Sequence, residues 1–310
     1  MIYTVTLNPA LDKTVEIPSF TIDSVNRITA MRTDPGGKGI NVSKVIGKLG
    51  GTSTATGILG GTTGQAIMSA LEDMGLETFF CFADGETRTN LKVVDKTKHT
   101  NTDINEPGLT VTEELLNTLL KELLAKLKKD DIVVLSGSLP IGAPKNTYGT
   151  WVKCCREAGA KTILDADGEL LMEGLKESPY LIKPNHHELS RLFDTTLETP
   201  QELKKAALKL MEENKVEKVV VSMGAAGALY VTKDITIYAE GLKVPVGSTV
   251  GAGDSVVAAL AFAEESGMSL EETVRLSTAT GAANVMCSGT QAAEYQVIKD
   301  LIPKVVFQEK

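Results

Sequence analysis

Short runs of β-branched residues alternate along this chain with longer amphipathic stretches, and that alternation restricts the fold more than any other feature. The strand-like runs fall at residues 2–7, 131–136, 161–165, 180–183 and 218–222. Each is followed by a loop rich in Gly, Pro, Asn or Ser and then by a helical pattern. This predicts an α/β fold, a mainly parallel sheet covered by helices. In such sheets ligands sit at the carboxyl ends of the strands, so the loops there are the candidate site. The clearest helix is expected from Thr112 to about Lys128. Thr112 can cap it, Glu113 and Glu114 suit its positive end, and Leu115, Leu116, Leu119, Leu120, Leu123, Leu124 and Leu127 fall on one stripe. It reads as scaffold.

Residues 13–35 and 87–105 interrupt the alternation, being strand-like without a good helix between strands. They are expected to pair as a small protruding sheet, a lid able to exclude water from a reacting phosphate. No repeat or low-complexity linker divides the chain, so residues 1–310 are expected to form one domain carrying that lid. A chain of 310 residues, 42% of them hydrophobic, is ample for such a core. The net charge of -8, with no basic stretch, argues against a nucleic-acid partner. Cys81, Cys154, Cys155 and Cys287 show neither C-x-x-C nor metal-ligand spacing and read as reduced thiols. No charged and apolar leader precedes Ile2 and no apolar run is long enough to span a bilayer. A soluble, cytoplasmic protein with no membrane partner is the expectation.

Thr249-Val250-Gly251-Ala252-Gly253-Asp254 leads directly into the helical run Ser255-Val256-Val257-Ala258-Ala259-Leu260. Glycines at a helix amino terminus leave backbone N–H groups free and approachable, which makes an anion hole. Asp254 in the first turn can take a proton from a hydroxyl in front of it, or can simply cap the helix. Gly36-Gly37-Lys38-Gly39-Ile40-Asn41 is not a P-loop, yet its glycines permit close backbone approach, and Lys38 and Asn41 offer donors. In Lys183-Pro184-Asn185-His186-His187-Glu188 a strand ends and a helix begins. Asn185 and Glu188 share a face there, as a capping pair or as holders of a magnesium-bound water. His186 and His187 read as ordinary polar residues. The strand, small-residue loop and strand around Ser222, Gly224 and Gly227 leave room for an adenine or ribose. Gly57 to Gly64 lacks the G-x-G-x-x-G spacing of a dinucleotide fingerprint, which disfavours an oxidoreductase. Arg27, Arg88 and Lys92 are cations of the candidate lid, with Lys38 at its edge.

These motifs, with TLNPALD from Thr6, ETRTN from Glu86, LSGSLP from Leu135 and GAAN from Gly281, resemble the ribokinase/phosphofructokinase-B family over nearly the whole chain. The resemblance implies a ribokinase-like three-layer α/β/α domain with a small protruding β lid, transferring the γ-phosphoryl of ATP to a sugar hydroxyl. It casts Asp254 as catalytic base and the N–H groups of Gly251, Ala252 and Gly253 as the anion hole. Asp12, Gly37, Asn41 and Ser138 would hold sugar hydroxyls, and Arg88, Lys38 and Arg27 a phosphate already on the substrate. Lys183, Asn185, Ser222, Gly224, Gly227 and Asn284 would line the nucleotide site, with Asn185 and Glu188 reaching Mg2+ through water. Ser248 stands where some relatives have an aspartate that helps form a monovalent-cation site, which leaves potassium activation open. TVTLNPALD, TRTN and TDIN are similar to the phosphosugar branch, for which fructose 1-phosphate ranks first and tagatose 6-phosphate second. A non-catalytic sugar or nucleotide sensor on the same fold is the alternative of another class. The open edges of a protruding sheet would also suit a homodimer through the lid.

Overall fold

The computed structural model describes residues 1–309. Its strands are β1 (Ile2–Thr6), β2 (Ala10–Ile17), β3 (Ala30–Gly36), β4 (Ser53–Gly60), β5 (Glu77–Ala83), β6 (Arg88–Asp95) and β7 (Thr100–Asn105). They continue as β8 (Ile132–Ser136), β9 (Lys161–Asp165), β10 (Leu181–Ile182), β11 (Lys218–Ser222), β12 (Gly227–Thr232), β13 (Thr236–Glu240) and β14 (Phe307–Glu309). Among the described residues ten strands form one sheet in the order β14-β13-β12-β11-β10-β9-β8-β1-β4-β5. From β5 to β11 the neighbours run parallel, and from β11 to β14 antiparallel.

Burial on both faces explains why the central strands read as unbroken apolar runs rather than alternating ones. In β8, Val133 and Leu135 enter one core cluster, and Ile132 and Val134 enter the other. The first cluster includes apolar residues of the helices Glu113–Lys126, Thr147–Glu157, Gly168–Leu175 and Pro200–Asn214. The second includes those of Lys38–Lys48, Ala252–Glu265, Leu270–Val285 and Tyr295–Leu301. The result is a three-layer α/β/α arrangement. The leucine-rich helix forms as expected, with the Thr112 hydroxyl accepting from Leu115 N–H and Leu116, Leu119, Leu120 and Leu123 buried.

β4 and β5 were not among the runs expected as strands. β4 reads Ser-Thr-Ala-Thr-Gly-Ile-Leu-Gly, too small and glycine-rich to stand out, yet every residue in it is buried. A Cβ on Gly57 would lie 1.9 Å from the Thr6 carbonyl oxygen, so glycine there lets β4 pack against β1. Four further strands make a second sheet in the order β3-β2-β6-β7, the small β lid. β2 joins β3 antiparallel and β6 parallel, and β7 closes the far edge with all its residues exposed. No helix among the described residues is long and apolar enough to cross a membrane.

Chain order places the ligand site. β1 lies between β8 on one side and β4 on the other, so the connections leave β1 in opposite directions. A crevice opens outside the carboxyl ends of strands at such a switch point.

The opposite end of the sheet carries a fastener. Glu264, in the last turn of Ala252–Glu265, accepts from Lys161 Nζ at 2.7 Å, Lys218 Nζ at 2.6 Å and the Tyr180 hydroxyl at 2.7 Å. Burial works against its charge, but the three donors overcome it and hold its pKa at about 2, below the ordinary 4.5. A depressed carboxylate stabilises the fold above pH 4.5, and that contribution is lost as pH falls from 4.5 toward 2. Glu264→Gln should therefore lose about 2–3 kcal/mol at pH 7, with the gap between variant and parent narrowing below pH 4.5. Denaturant melts at pH 7 and pH 3 test this, and a gap equal at both values would contradict it.

Candidate active site

A cavity of about 470 Å³ fills that crevice, between the ends of β1 and β8 below and the lid above. Thr6, Asn8, Ser136, Gly137 and Ser138 line its floor. Side chains two residues apart on a strand share a face, and the lid uses this. Asp12 and Thr14 on β2 stand opposite Asn90 and Lys92 on β6, which in turn face Asn105 and Asp103 on β7. All of these and Arg88 line the cavity roof, so the inner face of the lid is polar throughout.

The glycines of the Gly36–Gly39 turn serve close approach. A Cβ on Gly37 would lie 2.6 Å from Thr6 Cγ2, and one on Gly39 would lie 2.5 Å from Thr6 Oγ1. The turn thus presses the helix Lys38–Lys48 against β1, and the Thr6 hydroxyl accepts from Ile40 N–H at 3.0 Å. That fixes Asn41, whose Nδ2 donates to Asp254 Oδ2 at 2.8 Å. Asp254 is buried in the first turn of Ala252–Glu265, behind Gly251, which is left-handed at φ 80° and brings no side-chain cap. Gly251 and Asp254 line the cavity. Within the turn, Ala252 N–H contacts Thr249 O only at 3.4 Å, a weak bond for an anion to displace.

Lys38 and Lys183 meet at a residue that the sequence reading did not single out. Asp165 ends β9 and is buried, with Lys38 Nζ 3.2 Å from one oxygen and Lys183 Nζ 3.2 Å from the other. Lys183 also packs against Gly253, its Nζ 3.4 Å from where a Cβ would stand. Burial opposes the charge on Asp165, but Lys183 and Lys38 outweigh it and hold its pKa below the usual range. Burial likewise opposes the Lys38 ammonium, and Asp165, Asp254 and Glu188 raise its pKa regardless. Asp254 is pushed the other way. Burial, reinforced by Asp165, lifts its pKa to about 6 against the pull of Lys38, Asn41 and Lys183.

Several expected site residues are placed differently from the sequence reading. Lys38 is tied to Asp165 on the Asp254 side rather than grouped with Arg88 as a phosphate clamp. Arg27 is exposed on the loop between β2 and β3 and does not line the cavity. Arg88 lines it, but donates from Nε to Pro9 O, from Nη1 to Glu106 O and from Nη2 to Asn8 O. Asn185 and Glu188 form a capping box, each side chain accepting from the other's backbone N–H. Ser222, Gly224, Gly227 and Asn284 lie outside the cavity. Asn284 Nδ2 donates to Val250 O at 3.4 Å and stands 3.4 Å from a Cβ position on Gly251, so it backs the Val250–Gly251 turn. Gly227 is demanded by its hairpin, since a Cβ would lie 2.0 Å from Ala239 O, while Gly224 faces open space.

Asn90, Ser136 and Thr290 were also missed. Their Oδ1, Oγ and Oγ1 atoms are buried without a hydrogen-bond partner, and all three residues line the cavity. A buried polar atom without a partner costs about 1–3 kcal/mol, which a hydroxylated ligand would recover. Asp165 was legible as the acid ending a strand, and Asn90 and Ser136 stand in the ETRTN and LSGSLP strings; Thr290 carried no local signal.

A family model described as pfkB family carbohydrate kinase matches residues 5–296. The 1-phosphofructokinase of Bacillus subtilis is 38% identical over 305 residues, covering 98% of each chain. That of Haemophilus influenzae is 34% identical over 305 residues, covering 98% of this chain and 97% of its own. The solved structure of Escherichia coli phosphofructokinase-2 in complex with potassium superposes with a TM-score of 0.93 at 34% identity, covering 98% of each chain.

The electrostatics of Asp254 predict a stability effect. Its proton is held more tightly in the folded chain, at about 6, than at the ordinary 3.8 of an unfolded one. The native state therefore binds more protons in that window, and its stability falls as pH rises through it. Asp254→Asn should melt higher than the parent at pH 8, by at most about 3 kcal/mol, with the gain shrinking as pH is lowered toward 4. Melts at pH 8, 6 and 4.5 check this; a variant that melts lower at pH 8 would contradict it.

Proposed function

The chain belongs to the pfkB family of carbohydrate kinases, and we infer that it is an ATP-dependent kinase that converts fructose 1-phosphate to fructose 1,6-bisphosphate. The observation that carries the chemistry is Asp254, a buried carboxylate with a raised pKa at an uncapped helix amino terminus beside the cavity. Identity of 34–39% over most of the chain to curated 1-phosphofructokinases supports the choice of acceptor.

In this reading the 6-hydroxyl of the sugar faces Asp254. Asp254 takes its proton as the oxygen attacks the γ-phosphorus, and the bond to the bridging oxygen breaks so that its electron pair leaves with ADP. N–H groups of Gly251, Ala252 and Gly253 stabilise the charge on the transferred phosphoryl. Lys183 and Lys38, held by Asp165, add positive charge beside it. Asp12, Asn41, Asn90, Ser138 and Thr290 are the hydroxyl partners, among them two of the unpartnered buried atoms. The substrate's own phosphate goes to the lid, to the unused donors of Arg88 and to Lys92, whose partner Asp103 is 3.6 Å away and half exposed. ATP enters past the Ser222–Gly227 hairpin and Asn284.

Magnesium would accompany ATP, neutralising phosphate charge. Glu188 keeps one oxygen beyond its capping bond and its charge is felt at Lys38, so it faces the transfer side. A single carboxylate with Asn185 suits an ion held mostly by phosphates and water. A second copy docking through the lid is also proposed, since Ile22 at 85%, Val25 at 78% and Met31 at 58% expose apolar surface there.

The purified chain with ATP and magnesium should release ADP with fructose 1-phosphate and far less with fructose, because Arg88 and Lys92 would lack their anion. Competition at equal concentrations decides the acceptor: a larger kcat/KM for tagatose 6-phosphate would overturn the substrate, and no ADP with any phosphosugar would indicate a sensor. Asp254→Asn should bind both substrates yet lose at least about a hundredfold in kcat. Arg88→Ala should lose roughly ten- to a hundredfold in kcat/KM for the phosphosugar and leave ATP affinity nearly unchanged. Equal loss of ATP affinity would refute its assignment.

A further inference from the structure

The helix Lys38–Lys48 carries a second lysine that phosphoryl transfer does not call on. Lys44 is half-buried, and its Nζ donates to Pro35 O at 3.1 Å, to Asn41 Oδ1 at 3.3 Å and to Thr290 O at 3.3 Å. An ammonium has three protons and accepts nothing, so these three oxygens saturate it. They come from the end of lid strand β3, from the turn above Lys44 on its own helix, and from the loop beyond Leu270–Val285.

The bond to Asn41 has a directional consequence. An amide presents oxygen on one side and nitrogen on the other, and Lys44 can only bind the oxygen. With Oδ1 held by Lys44, the Nδ2 group is turned to Asp254, where it donates to Oδ2 at 2.8 Å. Were the amide reversed, its oxygen would meet the carboxylate and its NH2 would meet an ammonium, both repulsive. The bond to Thr290 acts on the other side of the reaction centre. The Cα of Thr290 lies 3.8 Å from a Cβ position on Gly251, and its buried, unpartnered Oγ1 belongs to a residue lining the cavity.

We propose that Lys44 is a positioning residue for the reaction: its ammonium fixes the Asn41 amide so that Asp254 is held by a donor, and pins the Thr290 loop beside the anion hole. It touches neither substrate in this reading. Asp34, Asp12, Asp254 and Arg32 act on the ammonium from neighbouring elements, and Asp165, Lys38 and Lys183 act on Asp254. Burial draws the pKa of Lys44 below its ordinary value, opposed first by Asp34 and then by Asp12 and Asp254.

The inference rests on Asp254 being the base, and a double-mutant cycle separates the two ideas. Lys44→Met, Asn41→Ala and the double variant are assayed for kcat, for KM of ATP and for the pH dependence of kcat, with melts alongside. Lys44→Met should lower kcat roughly ten- to a hundredfold with little change in KM for ATP. The acid limb of kcat should move to higher pH, because Asp254 loses an oriented donor and a nearby cation. In the Asn41→Ala background the same change should cost clearly less kcat than in the parent, since the route through the amide is already gone and only the Thr290 contact and the nearby charge remain. Lys44→Arg should return the acid limb toward that of the parent. If Lys44→Met does not fold, Lys44→Gln, with a neutral donor, is read by the same criteria. Fully multiplicative losses in the double variant, or a parental kcat and acid limb in Lys44→Met, would overturn the proposal. Should Asp254→Asn remain active, the base assignment itself fails; should it be inactive while the losses multiply, only the role of Lys44 fails.

Discussion

Asp165 stands at the carboxyl end of β9 with 4% of its side chain exposed and receives one ammonium on each oxygen. Two lysines this close would repel each other and hold no fixed position without a shared counter-ion. Because the carboxylate is charged and doubly paired, its desolvation is compensated, and removing it would leave two cations short of their partner. Lys38 opens the helix after β3, and Lys183 follows β10 and packs on Gly253. One ion triad therefore joins the start of the Lys38–Lys48 helix to the turn that opens Ala252–Glu265.

The same triad sets the character of Asp254. Asp165 repels its charge, Lys38 and Lys183 attract it, and burial tips the balance toward the proton-bound form. A carboxylate paired directly to a lysine would be a poor base, because its pKa would sit far below working pH. Here the cations face Asp165 first and reach Asp254 second, so the pKa of Asp254 stays raised, at about 6. The fold tolerates that stress because the Ala252–Glu265 helix is anchored at its far end, where Glu264 is bound by Lys161, Lys218 and Tyr180. Stability is supplied at one end of the sheet and strained at the other, the usual division between scaffold and site.

The lid adds recognition through strand geometry. Register fixes which side chains face the cavity, and a one-residue slip of β6 would turn Asn90 and Lys92 outward together, away from Asp12. Arg88 guards against such a slip by binding the carbonyls of Asn8, Pro9 and Glu106, which ties β6 to the end of β1. It thus fastens the lid as well as bringing positive charge to the cavity roof.

What the sequence by itself determined were the features carried by near neighbours. The runs of apolar residues marked β1, β8, β9, β10 and β11, Thr112 marked the start of a helix, and the Gly251–Gly253 turn before an apolar run marked a helix amino terminus with Asp254 in its first turn. Each depends on hydrogen bonds or periodicities within a few residues, and these are written in order along the chain. β4 escaped because small residues chosen for close packing carry no strand signature, whereas β5, with Phe79, Phe80 and Phe82, carried one that was passed over. Only the tertiary structure decided which distant groups meet. Asp165 finds Lys38 across more than a hundred residues, Lys44 finds Thr290, and Arg27, a cation like Arg88, is left at the surface. Those meetings follow from the order of strands in the sheet and the side on which each connection returns. Neither leaves a local trace, because a charge is placed by the fold around it and its own neighbours in sequence are indifferent to where it ends.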